Sequence, residues 1–123
     1  MKILLVDDNE ELRDFLAQCL VEANIEVDTA GSAVEARQKT LATRYEAFVV
    51  DTFLGQDDGL ALATELAAAP KGGKGSPVLL MSNLATSLAR RMATQAGCAE
   101  LLIKPFPPGQ FVEAVKNLNR GKR

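Results

Sequence analysis

The chain has no histidine at all. That excludes imidazole–zinc sites, serine–histidine nucleophile pairs and phosphohistidine carriers within the chain. Any phosphohistidine chemistry must use a histidine from a partner. Cysteine is scarce as well. Cys19 and Cys98 lie far apart and form no C-x-x-C pair; they read as two small, reduced core residues. Long apolar runs are missing: none approaches the ~18 residues needed to cross a bilayer. The start, MKILLVDDNE, reaches two acids too soon for a signal peptide, so the expected compartment is the cytoplasm. Neither sign of charge dominates, with 14 basic and 16 acidic residues and a net charge of −2. Such a balance provides no bulk attraction to nucleic acid or to an anionic membrane.

What is present suits one domain over residues 1–123. The length is ordinary for a single domain, and a 47% hydrophobic composition can bury a core. Two periods alternate along the chain. Lys2 to Val6 reads as a strand. Leu12, Phe15, Leu16, Cys19, Leu20 and Ala23 recur at helical spacing, behind Glu10 and Glu11, which suit a helix N-terminus. Glu26 to Ala30 reads as a second strand. Ser32-Ala33-Val34-Glu35 is a capping-box pattern opening a helix to about Thr43. Ala47 to Asp51 is a third strand, and residues 58–69 a helix. PKGGKGSP, residues 70–77, is a loop; it lacks the spacing of a phosphate-binding glycine loop. Val78 to Met81 is a fourth strand, Leu84 to Ala96 a helix stopped by Gly97, Leu101 to Ile103 a fifth strand, and Phe111, Val112 and Val115 mark a last helix. Five strand–helix units imply an α/β fold: a doubly wound, parallel, five-stranded sheet covered on both faces.

Sheets of this kind bind ligands at the carboxyl ends of their strands. Asp7 and Asp8 follow strand one, Asp51 ends strand three, Ser82 and then Asn83 end strand four, and Lys104 and then Pro105 follow strand five. Taken singly, each residue is an ordinary cap or solvated charge. Taken together, they put three acids, a hydroxyl and an amine on one edge. Three carboxylates in one pocket repel one another, and a divalent cation relieves that repulsion. The all-oxygen donor set selects Mg²⁺ or Mn²⁺ over zinc. A lysine and a hydroxyl beside them suit a transferring phosphoryl group, and a carboxylate can itself be the nucleophile.

ILLVDDNEELR, VVDTFLGQDDGLAL, PVLLMSN and AGCAELLIKPF carry a resemblance over nearly the whole chain: the sequence resembles the receiver domains of two-component response regulators. The resemblance implies a flavodoxin-like (βα)5 sandwich with strand order 2-1-3-4-5. It implies that Asp51 is the phosphoacceptor and that Asp7 and Asp8 bind Mg²⁺ with Asp51 and the Phe53 backbone carbonyl. Ser82 is expected to engage the phosphoryl oxygens, and Lys104 to neutralise Asp51 and then its phosphate, with a cis Lys104–Pro105 bond aiming the lysine inward. The implied donor is a phosphohistidine on a sensor histidine kinase or a histidine phosphotransfer protein. The implied output is altered affinity for a partner, with no nucleic-acid or membrane binding by this domain. The protein would catalyse only its own phosphorylation and dephosphorylation.

Several positions depart from the family pattern. Leu101 stands where the family usually has a Tyr or Phe that swings inward on activation. Asn83 replaces the usual small residue after the hydroxyl, and Gly55 stands where a proline is common. Phe53 and Leu84, two residues past Asp51 and Ser82, are large and apolar, and would shield the phosphate from water. A receiver-like scaffold without phosphate switching is the alternative suggested by Leu101 and Asn83. A haloacid-dehalogenase-type phosphatase would need a second Asp two residues after the nucleophile, where this chain has Phe53.

Overall fold

The computed structural model describes residues 1–68 and 75–120, with side chains as far as Leu118. Strand β1 (Lys2–Val6) lies inside the sheet, and its four apolar residues Ile3 to Val6 are fully buried. A strand covered on both faces needs such a continuous apolar run. β1 pairs in parallel with β2 (Glu26–Ala30) on one side and with β3 (Ala47–Asp51) on the other. β3 pairs with β6 (Val78–Ser82), and β6 with β7 (Glu100–Ile103), all in parallel. The order is β2-β1-β3-β6-β7, which is 2-1-3-4-5 when the strands of this sheet alone are counted, as expected.

Successive strand residues point to opposite faces, so each strand feeds two cores. Ile3, Leu5, Val49, Leu79 and Met81 pack beneath α1 (Glu10–Glu22) and α5 (Pro108–Arg120), against Leu16, Leu20, Phe111 and Val115. Leu4, Val6, Val50 and Leu80 face α2 (Ala33–Ala42), α3 (Gly59–Ala67) and α4 (Thr86–Ala96), against Ala36, Leu62, Ala63 and Ala93. A fully buried Leu or Ile stabilises by about 2 kcal/mol, so truncating Leu5, which is 0% exposed, costs about 2–5 kcal/mol. The sheet is thereby held rigid under the site.

Local signals set the helix ends. Asn9 caps α1 by accepting from Leu12 N–H at 3.1 Å, and Ser32 caps α2 by accepting from Glu35 N–H at 3.1 Å. Glu35 does not complete the capping box on Ser32. Its Oε1 accepts from Gly31 N–H at 2.8 Å, one residue earlier. Asp58, expected inside a helix, is instead the cap of α3, accepting from Ala61 N–H at 3.0 Å. α4 begins at Thr86 rather than Leu84, because Leu84 N–H is turned back to Ser82 Oγ. α4 ends at Gly97 with φ +80°, a left-handed residue that glycine adopts freely.

Further differences from the sequence reading concern burial and a small hairpin. Phe15 sits on the helical stripe but is 52% exposed, because Leu16 and Leu20 fill the α1 contact with the sheet. Both cysteines are free and half-buried rather than fully in the core. After β3 the chain makes an unforeseen antiparallel hairpin, β4 (Phe53–Leu54) with β5 (Asp57–Asp58), turning at Gly55 with φ +63°. The 70–77 loop falls largely on residues outside the described ones; Gly75, Ser76 and Pro77 carry no regular structure.

Candidate functional site

The carboxyl ends of β1, β3, β6 and β7 converge. Asp7 N–H continues the β1–β2 ladder by donating to Ala30 O at 3.1 Å, which holds the Asp7 side chain at 0% exposure. Its Oδ1 accepts from Asn9 N–H at 3.0 Å. Its Oδ2 is buried without a hydrogen bond and lies 3.6 Å from Lys104 Nζ. Burial raises the Asp7 carboxyl above the ordinary carboxylate value; the Asn9 N–H and Lys104 oppose this, and the Asp51 and Asp8 charges add to it. Asp8 is exposed at the rim. One carboxylate oxygen from each of Asp7, Asp8 and Asp51 lies within 4.8 Å of the others.

Lys104 reaches this cluster from the end of β7. Its Nζ donates to Asp51 Oδ2 at 2.9 Å, and its backbone N–H donates to Ser82 O at 2.7 Å. The Lys104–Pro105 peptide is cis, as expected, and Phe106 then stacks on Phe111 with ring centroids 5.7 Å apart. Ser82 is fully buried, and its Oγ accepts from Leu84 N–H at 3.0 Å. The structure thus brings Asp7, Asp8, Asp51 and Lys104 together and ties Lys104 to Ser82 through the backbone.

The accessory positions are more scattered. Phe53, at the head of the hairpin, is 54% exposed. Asn83 and Pro105 are exposed and Leu84 is half-buried. Leu101 is half-buried and lines a shallow groove between α4 and β7 with Thr86, Arg90 and Cys98. Burial alone pushes the Cys98 thiol up to about 11, so it stays protonated at neutral pH.

Four residues that shape the site were not singled out by the sequence reading. Gly59 packs so tightly that a Cβ there would lie 1.8 Å from the Asp51 carbonyl oxygen, so only glycine lets α3 start against the end of β3. Its signal was present in the DG pair of the motif. Thr52 is buried; its N–H at 2.9 Å and its Oγ1 at 2.7 Å both donate to Met81 O, locking β3 to β6 just where Asp51 and Ser82 emerge. Asp57 Oδ2 accepts from Ala33 N–H at 3.0 Å, pinning the hairpin to the start of α2. Arg13 Nη1 donates to Asp7 O at 3.1 Å. No sequence spacing announces these last three.

The residues fit a divalent cation. Three converging carboxylates with an all-oxygen donor set, one oxygen of them buried and unpartnered, suit Mg²⁺ or Mn²⁺. Among the described residues no helix is long and apolar enough to cross a membrane.

The sequence matches the family model described as "Response regulator receiver domain" over residues 3–116. It is 31% identical over 120 residues to the probable transcriptional regulatory protein SilR of Salmonella typhimurium, covering 98% of this chain and 51% of that protein. It is 28% identical over 119 residues to the transcriptional regulatory protein SrrA of Staphylococcus aureus, covering 97% of this chain and 48% of that protein. The chain therefore spans about half the length of these relatives. A putative response regulator from Chloroflexus aurantiacus superposes with a TM-score of 0.85 at 30% identity, covering 97% of each chain. A Francisella response regulator receiver domain shares the fold with a TM-score of 0.86 at 24% identity, over 99% of this chain and 98% of that one. With acids, hydroxyl and lysine gathered at the sheet edge and the family pattern spanning almost every element, the chain belongs to the response regulator receiver domain family.

Proposed function

We propose that this receiver domain, one domain over residues 1–123, accepts a phosphoryl group on Asp51 and so switches its affinity for a partner. The observation that carries the reading is the Lys104 Nζ–Asp51 Oδ2 contact at 2.9 Å inside a cluster of three carboxylates. A carboxylate oxygen can serve as the nucleophile, and the ammonium beside it can follow the charge onto the incoming phosphoryl group.

In the proposed step an Asp51 carboxylate oxygen attacks the phosphorus of a phosphohistidine on a sensor kinase or phosphotransfer protein. The O–P bond forms as the P–N bond breaks, and its electron pair returns to the partner's imidazole, which takes up a proton. The product is an acyl phosphate. Lys104 neutralises Asp51 before transfer and a phosphoryl oxygen after it. The Ser82 hydroxyl is the hydrogen-bond donor to that group. Asp7, Asp8, Asp51 and the Phe53 carbonyl would hold Mg²⁺ or Mn²⁺, which when bound supplies charge neutralisation for the phosphoryl oxygens. Dephosphorylation by water is the only other reaction the site performs, so the domain turns over no metabolite.

Ser82 Oγ holds the backbone of Leu84, two residues before the start of α4, and Ala85 gives that helix no side-chain cap. Drawing the hydroxyl toward a phosphoryl group releases the Leu84 N–H and shifts the start of α4. The surface of α4, β7 and α5 is then the output face. Leu101 there has no aromatic ring to swing, so the signal runs through the Ser82–Leu84 segment.

Incubation with Mg²⁺ and a small acyl-phosphate or phosphoramidate donor, followed by intact-mass measurement, tests the reading. One phosphoryl adduct per chain that Asp51→Asn abolishes supports it. Absence of an adduct favours a scaffold, and continuous phosphate release from diverse monoesters favours a phosphatase.

A further inference from the structure

Behind the acid pair lies a second charged arrangement that the transfer step does not use. Arg13, on the first turns of α1, turns its guanidinium under the end of β1. Nη1 donates to the Asp7 carbonyl oxygen at 3.1 Å. The side chain is 18% exposed, and its Nε is buried without a hydrogen bond, with Asp14 Oδ1 3.9 Å away. A half-buried guanidinium that leaves a donor unpaired is costly, and the carboxylates of Asp14, 3.9 Å away, and of Glu35 offset part of that cost.

The surrounding chain makes room for that guanidinium. Gly31, just past β2, abuts Arg13 so closely that a Cβ would lie 2.7 Å from Nη1 and 3.7 Å from Glu35 Oε1. Glu35 in turn accepts from Gly31 N–H at 2.8 Å and pairs with Lys39 Nζ at 3.4 Å. The ends of β1 and β2 and the first turn of α2 thus form a corner into which Arg13 fits.

We propose that Arg13 is a positioning residue that orients the acid pair for divalent-cation binding, with Gly31 supplying the space it needs. The physical link is the Asp7–Asp8 peptide. A peptide unit is planar and rigid, so holding the Asp7 carbonyl also fixes the direction in which the chain enters Asp8. Asp7 is anchored by burial and by Asn9 N–H, but Asp8 is exposed. Its approach to the other two carboxylates therefore depends on its backbone, and Arg13 grips that backbone. Groups that orient metal ligands in this way affect affinity by ~10-fold or more.

The inference rests on the reading of the acid cluster as a cation site, and calorimetric titration of the whole protein with Mg²⁺ alone separates the two. No saturable binding by the wild type overturns the site itself. Given wild-type binding, Arg13→Ala is expected to weaken it by about tenfold, and Arg13→Lys, which keeps a cationic donor for the Asp7 carbonyl, to restore part of it. Gly31→Ala is expected to weaken binding in the same direction by displacing the guanidinium. Combining the two should weaken it no further than Arg13→Ala alone, because the displaced group is already gone. Unchanged affinity in Arg13→Ala overturns the inference. So do single-variant effects that multiply in the double variant, which would show two unrelated structural defects. If Arg13→Ala fails to fold, as read from thermal unfolding in EDTA, Gly31→Ala decides alone: unchanged Mg²⁺ affinity overturns the inference and weakened affinity upholds it.

Discussion

Neutralising Asp7 should stabilise the protein when no divalent cation is present. The Asp7 carboxylate is fully buried and its Oδ2 has no hydrogen bond. Its oxygen lies within 4.8 Å of one oxygen each from Asp8 and Asp51. At an effective dielectric constant of about 20, each repulsion is worth about 3.5 kcal/mol at that separation. Against them stands the attraction of Lys104 at 3.6 Å, about 4.6 kcal/mol on the same scale. Repulsion therefore wins by about 2 kcal/mol, and the desolvation of an unpaired buried oxygen adds to it. Asp7→Asn keeps an acceptor for Asn9 N–H and leaves Lys104 its 2.9 Å contact with Asp51. A gain of about 2 kcal/mol corresponds to a rise in Tm of roughly 8 °C for a domain of this size. The assay is thermal unfolding in EDTA at pH 7. The gain should shrink as the pH falls. Burial holds the folded Asp7 carboxyl above its unfolded value, so between the two the folded state binds more protons and wild-type stability rises with acidification. Asn at this position has no such titration. Mg²⁺ should reverse the ranking, because binding stabilises only a chain that retains the site. A Tm for Asp7→Asn equal to or below wild type in EDTA at pH 7 would refute the electrostatic reasoning.

Other substitutions probe the supports of the site. Gly59→Ala places a Cβ 1.8 Å from the Asp51 carbonyl; it should cost at least about 3 kcal/mol in urea unfolding, and near-wild-type stability would mean that the approach of α3 to β3 is looser than described. Thr52→Val removes one of the two donors to Met81 O and should cost about 1 kcal/mol, whereas Thr52→Ser keeps the hydroxyl; an unchanged urea midpoint for Val would dismiss that hydrogen bond as a lock between β3 and β6. Replacing Phe53 and Leu84 together with serine should shorten the lifetime of phosphorylated Asp51, read as the decay of the mass adduct after donor removal. An unaltered half-life would end the view that these two side chains keep water from the phosphate.

The residues that the sequence displays most openly are those that end an apolar run. Asp51 and Lys104 were legible because a buried strand that stops on a charge, in a parallel sheet, delivers that charge to one known edge. Helix caps at Asn9, Ser32 and Asp58 follow short-range chemistry, yet the sequence pattern puts Asp58 inside the helix it caps. The hairpin at residues 53–58 could not be read, since two-residue strands carry no period. Phe15 shows the limit of helical spacing: it lies on the apolar stripe, but which stripe residues reach the sheet depends on how α1 is rotated against α5. Arg13 and Asp57 were invisible for a related reason. Long polar side chains reach backbone groups set by the folded path, such as the Asp7 carbonyl and the Ala33 amide, and no local pattern encodes that path.

In the proposed switch the carboxylate of Asp51 becomes an acyl phosphate. Reduction of the phosphorylated protein with borohydride, followed by peptide sequencing, tests it at the level of the bond, because an acyl phosphate is reduced to the alcohol while a free carboxylate is untouched. Homoserine is expected at position 51 in the donor-treated, Mg²⁺-containing sample and aspartate there without donor. A phosphoryl adduct that leaves aspartate at 51, or converts a different acid, would contradict it.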